Sequence, residues 1–125
     1  QIDGGIGYVE LAYVKGDLKA AAIQNGSGQE VVPTNASASK ALGSIDLGPD
    51  LIGGNANTIE GYPIVTFTWV LAYANGNGNN TDVLKSTFDY MLSEESQAKA
   101  PELGYISLPP DVIIQAKEAA NTIKE

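Results

Sequence analysis

The sequence contains no cysteine, no histidine and no arginine; all seven basic residues are lysines. Without cysteine there are no disulfides, thiol nucleophiles or thiolate metal sites. Without histidine, neither a Ser-His-Asp set nor an imidazole metal site can form within these residues. Without arginine, the two-pronged guanidinium clamp on phosphate is excluded as well. The formal net charge is -8, with no basic cluster, which argues against nucleic acid and against an anionic lipid surface as partners. Long hydrophobic runs are also missing. The longest, residues 64–74, is broken by Thr66 and Thr68 and falls short of the roughly 20 residues a membrane helix needs. The start carries no initiator Met, no basic region and no signal-type apolar stretch, so Gln1 reads as an internal position exposed by processing.

What is present is a chain of 125 residues, long enough for one hydrophobic core, with 14 glycines and many Asn and Ser residues that mark turns between short elements. Gly4-Gly5-Ile6-Gly7-Tyr8-Val9 reads as a turn feeding a short strand, and residues 10–15 as a brief helix or turn stopping at Gly16. Residues 18–23 suggest a second strand, followed by turns at Asn25-Gly26 and Ser27-Gly28. Pro33-Thr34-Asn35 ahead of residues 36–42 and Gly43 has the form of a capped helix. Residues 43–61 suit a meandering connection. Residues 62–73, β-branched and aromatic with a proline near the start, read as a long, largely buried strand.

Helical signals dominate the last third. Thr81-Asp82 offers a cap and a first-turn acid to a helix with Leu84, Phe88 and Met91 on one face. Ser93 starts another, which Pro101 should divide and Leu103-Gly104 should stop. Pro110 suits the first turn of a final helix that places Ile113, Ala116, Ala120 and Ile123 at spacings of three and four.

Few residues could carry chemistry. Glu94-Glu95 and the pair Asp46 and Asp50 are the carboxylate candidates for acid-base work, but first turns favour acids and the second pair lies in a loop, so solvated faces are the better reading. The run Asn75-Gly76-Asn77-Gly78-Asn79-Asn80-Thr81-Asp82 resembles a calcium loop only superficially, because it holds one charge and lacks a closing acid. Gly4-Gly5-Ile6-Gly7 precedes a strand, whereas a phosphate cradle should follow one and open a helix. Asn25, Asn35 and Asn79 begin glycosylation-type triplets, from which no modification is inferred. Tyr62, Trp69 and Tyr73 could line a cleft, although aromatics spaced along a buried strand more often belong to a core.

Three stretches carry a resemblance. Gly5-Ile6-Gly7-Tyr8-Val9-Glu10 with Ala12-Tyr13, then Gly61-Tyr62-Pro63-Ile64, then Leu103-Gly104-Tyr105-Ile106-Ser107-Leu108-Pro109 are similar to the C-terminal portion of the periplasmic phosphate-binding proteins, the capture components of ABC phosphate importers. The resemblance implies an α/β fold, part of a two-lobed type II periplasmic-binding-protein fold with a mixed sheet flanked by helices. It places residues 1–60 at the end of the second lobe and residues 61–125 in the C-terminal part of the first, the chain being a fragment of a longer one.

The function implied is transport without catalysis: a solute-binding protein that captures inorganic phosphate and delivers it to the membrane subunits of an ABC permease, in the periplasm or at the extracytoplasmic cell surface. The partners are then phosphate, the permease and the remainder of the receptor chain, with no cofactor, no metal and no catalytic residue. The family's phosphate contacts include an Arg and a Ser-Gly-Thr type loop from earlier in the chain, so ligand residues are expected upstream of Gln1 and none is assigned here. Ser107 stands where the family more often has proline, and Pro101 interrupts the preceding helix; both departures concern packing. The alternatives are a receptor for another oxyanion such as sulfate or molybdate, a phosphoester-processing enzyme with its catalytic residues elsewhere, or a stand-alone interaction module that exposes an apolar patch.

Overall fold

The computed structural model of the chain describes residues 2–53 and 60–125, so the middle of the 43–61 connection lies outside the described residues. Among the described residues the regular structure comprises four α-helices, three short 3-10 turns and a two-stranded sheet. This is a small mixed helix and strand arrangement, consistent with the α/β expectation.

The sheet is a minimal hairpin in which β1 (Ile23–Gln24) pairs antiparallel with β2 (Glu30–Val31), Ile23 opposite Val31. Its turn is organised by Asn25, whose Oδ1 accepts from Ser27 N (3.0 Å), Ser27 Oγ (2.7 Å) and Gln29 N (3.0 Å). A short amide that mimics a backbone acceptor stabilises such a turn, as the Asn25-Gly26 signal anticipates. Helix α1 (Asn35–Leu42) has a reciprocal cap. The Thr34 hydroxyl accepts from Ser37 N while Ser37 Oγ accepts from Thr34 N at 2.9 Å, so the hydroxyl of Ser37 performs the task usually given to Glu or Gln. It ends at Gly43, which remains right-handed at φ -66°.

Helix α2 (Thr81–Met91) begins one residue earlier than a Thr81 cap would allow. A 3-10 turn over Gly78–Asn80 leads straight into it, and Thr81 is the first helical residue, its hydroxyl donating to Gly78 O. Leu84 and Phe88 are half-buried, whereas Met91 at the end of the expected face remains 43% exposed. Helix α3 (Glu94–Lys99) is capped by Ser93 as expected, and Pro101 sits in the 3-10 turn Ala100–Leu103 that ends at left-handed Gly104, φ +83°. Helix α4 (Pro110–Asn121) starts on its proline.

The core is small. Leu42 of α1, Phe67 and Val112 of α4 form its buried centre, with Ile45, Leu47, Val65, Ile106 and Leu108 packed around it. Ala38 and Ala41 bury the remaining face of α1, and Ile123 closes the end of the chain beyond α4.

The long buried strand expected over residues 62–73 is not formed. Only Gly61, before the segment, and Phe67 within it are buried, and from Trp69 onward every residue is exposed. Among the described residues no backbone N–H of residues 63–73 makes a backbone hydrogen bond. Residues 6–9 behave alike: none of their backbone N–H groups bonds to another backbone group among the described residues, and Ile6 is 99% and Tyr8 100% exposed. The physical reason is common to both. β-branched and aromatic composition favours a pleated backbone, but a strand exists only when a neighbour supplies its ladder.

Candidate functional site

The residues with the strongest sequence signals are placed as follows. Glu94 and Glu95 occupy the first turn of α3, and Glu95 pairs with Lys99 at 2.6 Å. Asp50 Oδ1 accepts from Ile52 N at 3.2 Å within the loop closed by the Leu47 and Gly53 bridge, and no shared site with Asp46 is built. The Asn75-to-Asp82 run is engaged with the end of the chain: Gly76 N donates to Glu125 O, and Asn77 Nδ2 donates to Tyr73 O (2.8 Å) and Lys124 O (2.9 Å). That loop is a clamp on the C-terminal tail. Among the described residues no group of three or more acidic side chains is gathered as a metal site.

The Gly4 turn, at φ +73°, leads into an unpaired segment and then a three-residue 3-10 turn, Leu11–Tyr13, so it cradles nothing. Asn25 is 6% exposed and its side-chain oxygen is occupied within its own turn. The three aromatics do not converge on a cleft. Tyr62 reaches Ala21 O at 3.4 Å, Trp69 Nε1 donates to Leu51 O at 2.8 Å while its ring meets Phe67 edge-on at 6.1 Å, and Tyr73 is 82% exposed. The core aromatic is Phe67.

Helix N-termini are the usual place for an oxyanion in an acidic protein. Here three of the four described ones already carry first-turn carboxylates: Asp82 on α2, Glu94 and Glu95 on α3, and Asp111 on α4. The fourth, α1, has one of its donors, Ser37 N, taken by the Thr34–Ser37 cap. A depression along α2, lined by Asp82, Val83, Ser86, Thr87 and Tyr90, lies wide open and contributes a carboxylate of its own. None of these positions favours phosphate.

The three stretches that carry the resemblance instead fit elements together. Gly104 of the third stretch faces Ala12 of the first so closely that a Cβ on Gly104 would collide with the Ala12 side chain. Gly61 of the second lies on α1, where a Cβ would come within 2.5 Å of Ser37 O and 2.7 Å of Ala41 N. The next residue continues that contact, with Tyr62 N donating to Ser37 O at 3.0 Å. Ser107, the departure from proline, donates its hydroxyl to Gln97 O at 2.8 Å, a bond a proline could not make. Gln97 is a residue the sequence did not single out. Its side chain accepts from Leu108 N and donates to Met91 O, tying α3 to the segments on both sides, and its only sequence signal is a polar residue on a short, capped helix.

The described residues therefore present close glycine contacts and open apolar surface. Ile2, Ile6, Tyr8, Leu71 and Tyr73 are each more than four-fifths exposed, an arrangement suited to contact with more polypeptide. No helix among the described residues is long and apolar enough to cross a membrane.

No protein-family model matches the chain. Among individual proteins, the phosphate-binding protein PstS of Methanocaldococcus jannaschii is 29% identical over 136 residues, covering 96% of this chain and 35% of that protein. That of Xylella fastidiosa is 33% identical over 122 residues, covering 92% of the chain and 33% of the protein. That of Haemophilus influenzae is 33% identical over 130 residues, covering 98% and 38%. The chain thus spans about a third of the length of the curated relatives it matches. Their names are those of binding proteins and not of enzymes, in keeping with the absence of catalytic machinery read from the sequence. Along 92–98% of its length, this chain is similar to about a third of several phosphate-binding proteins.

Proposed function

We propose that this chain corresponds to the C-terminal portion of a solute-binding protein that captures inorganic phosphate outside the cytoplasmic membrane and delivers it to an ABC importer permease. The observation that carries the reading is the similarity of 92–98% of the chain to about a third of several phosphate-binding proteins, together with three motif stretches that fall in order along it. In this reading residues 1–60 complete one lobe, residues 61–125 belong to the other, and the phosphate ligands lie in the part of the receptor outside these residues. The four helix N-termini, occupied by acids or by a cap, support that last step. A net charge of -8 is compatible with it, because backbone N–H groups and hydroxyls in a closed cleft hold an oxyanion without a basic surface.

The exposed apolar segments also favour a second reading, a stand-alone interaction module derived from the same fold. Isothermal titration separates the two. Phosphate, with sulfate as control, should give no binding heat with the 125-residue chain and saturable, phosphate-selective heat with the complete receptor that contains it. A complete protein that ignores phosphate would favour the interaction module, one that prefers sulfate would indicate a receptor for a different oxyanion, and tight binding by the 125-residue chain would overturn the placement of the ligands.

A further inference from the structure

Asparagine followed by glycine is the sequence most prone to intramolecular deamidation, because glycine leaves its own N–H unshielded and lets the backbone turn that nitrogen onto the preceding side chain. The chain holds three such pairs, Asn25-Gly26, Asn75-Gly76 and Asn77-Gly78. Their surroundings differ. Asn25 is 6% exposed and its Oδ1 accepts three hydrogen bonds, so its side-chain carbon is held away from Gly26 N. The other two pairs lie in the loop ahead of α2, where Gly76 and Gly78 are exposed, at φ +88° and +51°, with nothing within 4 Å of a Cβ. Each of these pairs is missing one half of the reaction only while residues 124 and 125 are docked. For Asn75 the nucleophile is engaged: its side chain makes no hydrogen bond among the described residues, but Gly76 N donates to Glu125 O at 3.0 Å. For Asn77 the electrophile is engaged: Gly78 N makes no hydrogen bond among the described residues, but Asn77 Nδ2 is held by Tyr73 O and Lys124 O.

We propose that Asn75 and Asn77 are sites of spontaneous deamidation kept in check by the docked residues 124–125, and that reaction at Asn77 expels those residues irreversibly. At Asn77 the Gly78 nitrogen gives up its proton and bonds to Cγ, while the Cγ–Nδ2 bond breaks and Nδ2 leaves as ammonia. Water then opens the succinimide ring to aspartate or isoaspartate, so water is the only co-reactant. The new carboxylate has no proton to donate, and it meets the carbonyl oxygens of Tyr73 and Lys124 with repulsion where the amide made two hydrogen bonds. An isoaspartate linkage also adds a methylene to the backbone just ahead of the Gly78–Asn80 turn that leads into α2. Release of the tail in turn frees Gly76 N and opens Asn75 to the same chemistry. Nothing in these steps depends on phosphate, so they stand apart from the transport function.

Peptide mapping by mass spectrometry, on the complete protein that contains this chain, incubated at mildly alkaline pH with and without urea, follows each pair separately. Native Asn75 and Asn77 should react at least about 10-fold more slowly than in urea, because hydrogen bonds to residues 124 and 125 must open first. Lys124→Pro, at an exposed position beyond α4, removes the N–H that donates to Ala74 O at 2.9 Å. It should bring both sites close to the urea rate while Asn25 stays slow. Native rates equal to those in urea, or rates unchanged by Lys124→Pro, overturn the proposal. If Lys124→Pro speeds Asn25 as well, the variant has unfolded and Asn77→Asp decides. Faster amide exchange over residues 122–125 in Asn77→Asp than in the unsubstituted protein upholds the release, and equal exchange overturns it.

Discussion

Gly61 and Gly104 are the positions where this sequence has least freedom, for two reasons that act together. Both adopt the left-handed conformation, φ +82° and +83°, which a Cβ disfavours, and both abut neighbouring atoms that leave a methyl group no room. At Gly61 those neighbours are the backbone of α1, which cannot step aside. Gly61→Ala should therefore destabilise by about 2–4 kcal/mol, the sum of left-handed strain and overpacking. Gly16→Ala is the contrast: φ is +64° but nothing lies within 4 Å, so only the conformational cost of about 1 kcal/mol applies. Thermal unfolding followed by circular dichroism should show the larger fall for Gly61→Ala; equal shifts would mean that the contact with α1 is not made. At the same scale, Ser107→Ala removes one half-buried hydrogen bond and should cost about 1 kcal/mol.

Among the elements, the helices are locally specified and the extended segments are not. Helix α1 depends on a hydroxyl pair, so Thr34→Ala should lower stability by about 1 kcal/mol, whereas Thr34→Ser, which keeps the acceptor, should cost only a few tenths. Amide exchange over residues 35–38 is the direct readout, because it reports fraying at that end. The tail beyond α4 is held through Asn77, whose amide bonds two carbonyls from separate parts of the chain, Tyr73 and Lys124. Asn77→Ala should speed exchange and proteolysis over residues 122–125 while leaving the middle of α2 unchanged; equal protection in both proteins would rule out the clamp.

For the whole molecule, charge and surface set the behaviour. Its two ion pairs among the described residues, Lys40 with Glu60 and Lys99 with Glu95, have side chains more than half exposed, so each contributes about 0–1 kcal/mol at most. Against that small sum stands the self-repulsion of a net charge of -8. Added sodium chloride should thus raise the thermal midpoint; a fall with salt would mean that the ion pairs outweigh the net charge. Helix α1, the Ser93 start of α3, the Gly104 stop and the Pro110 start of α4 were all legible in the sequence, because caps, prolines and left-handed glycines act within a few residues. So were the absence of nucleophile, imidazole and guanidinium and the similarity to phosphate-binding proteins, which depend on residue identity alone. What the sequence could not give was the state of residues 5–9 and 63–73, or which core each aromatic joins. Residues 62–73 have strand composition throughout, yet Phe67 is buried and Tyr73 lies open, because a ladder and a covered face require neighbours that local composition cannot supply. Only the tertiary structure decided that Gly104 meets Ala12 and that Leu42, Phe67 and Val112 share one core, since such contacts depend on how distant segments come together in space.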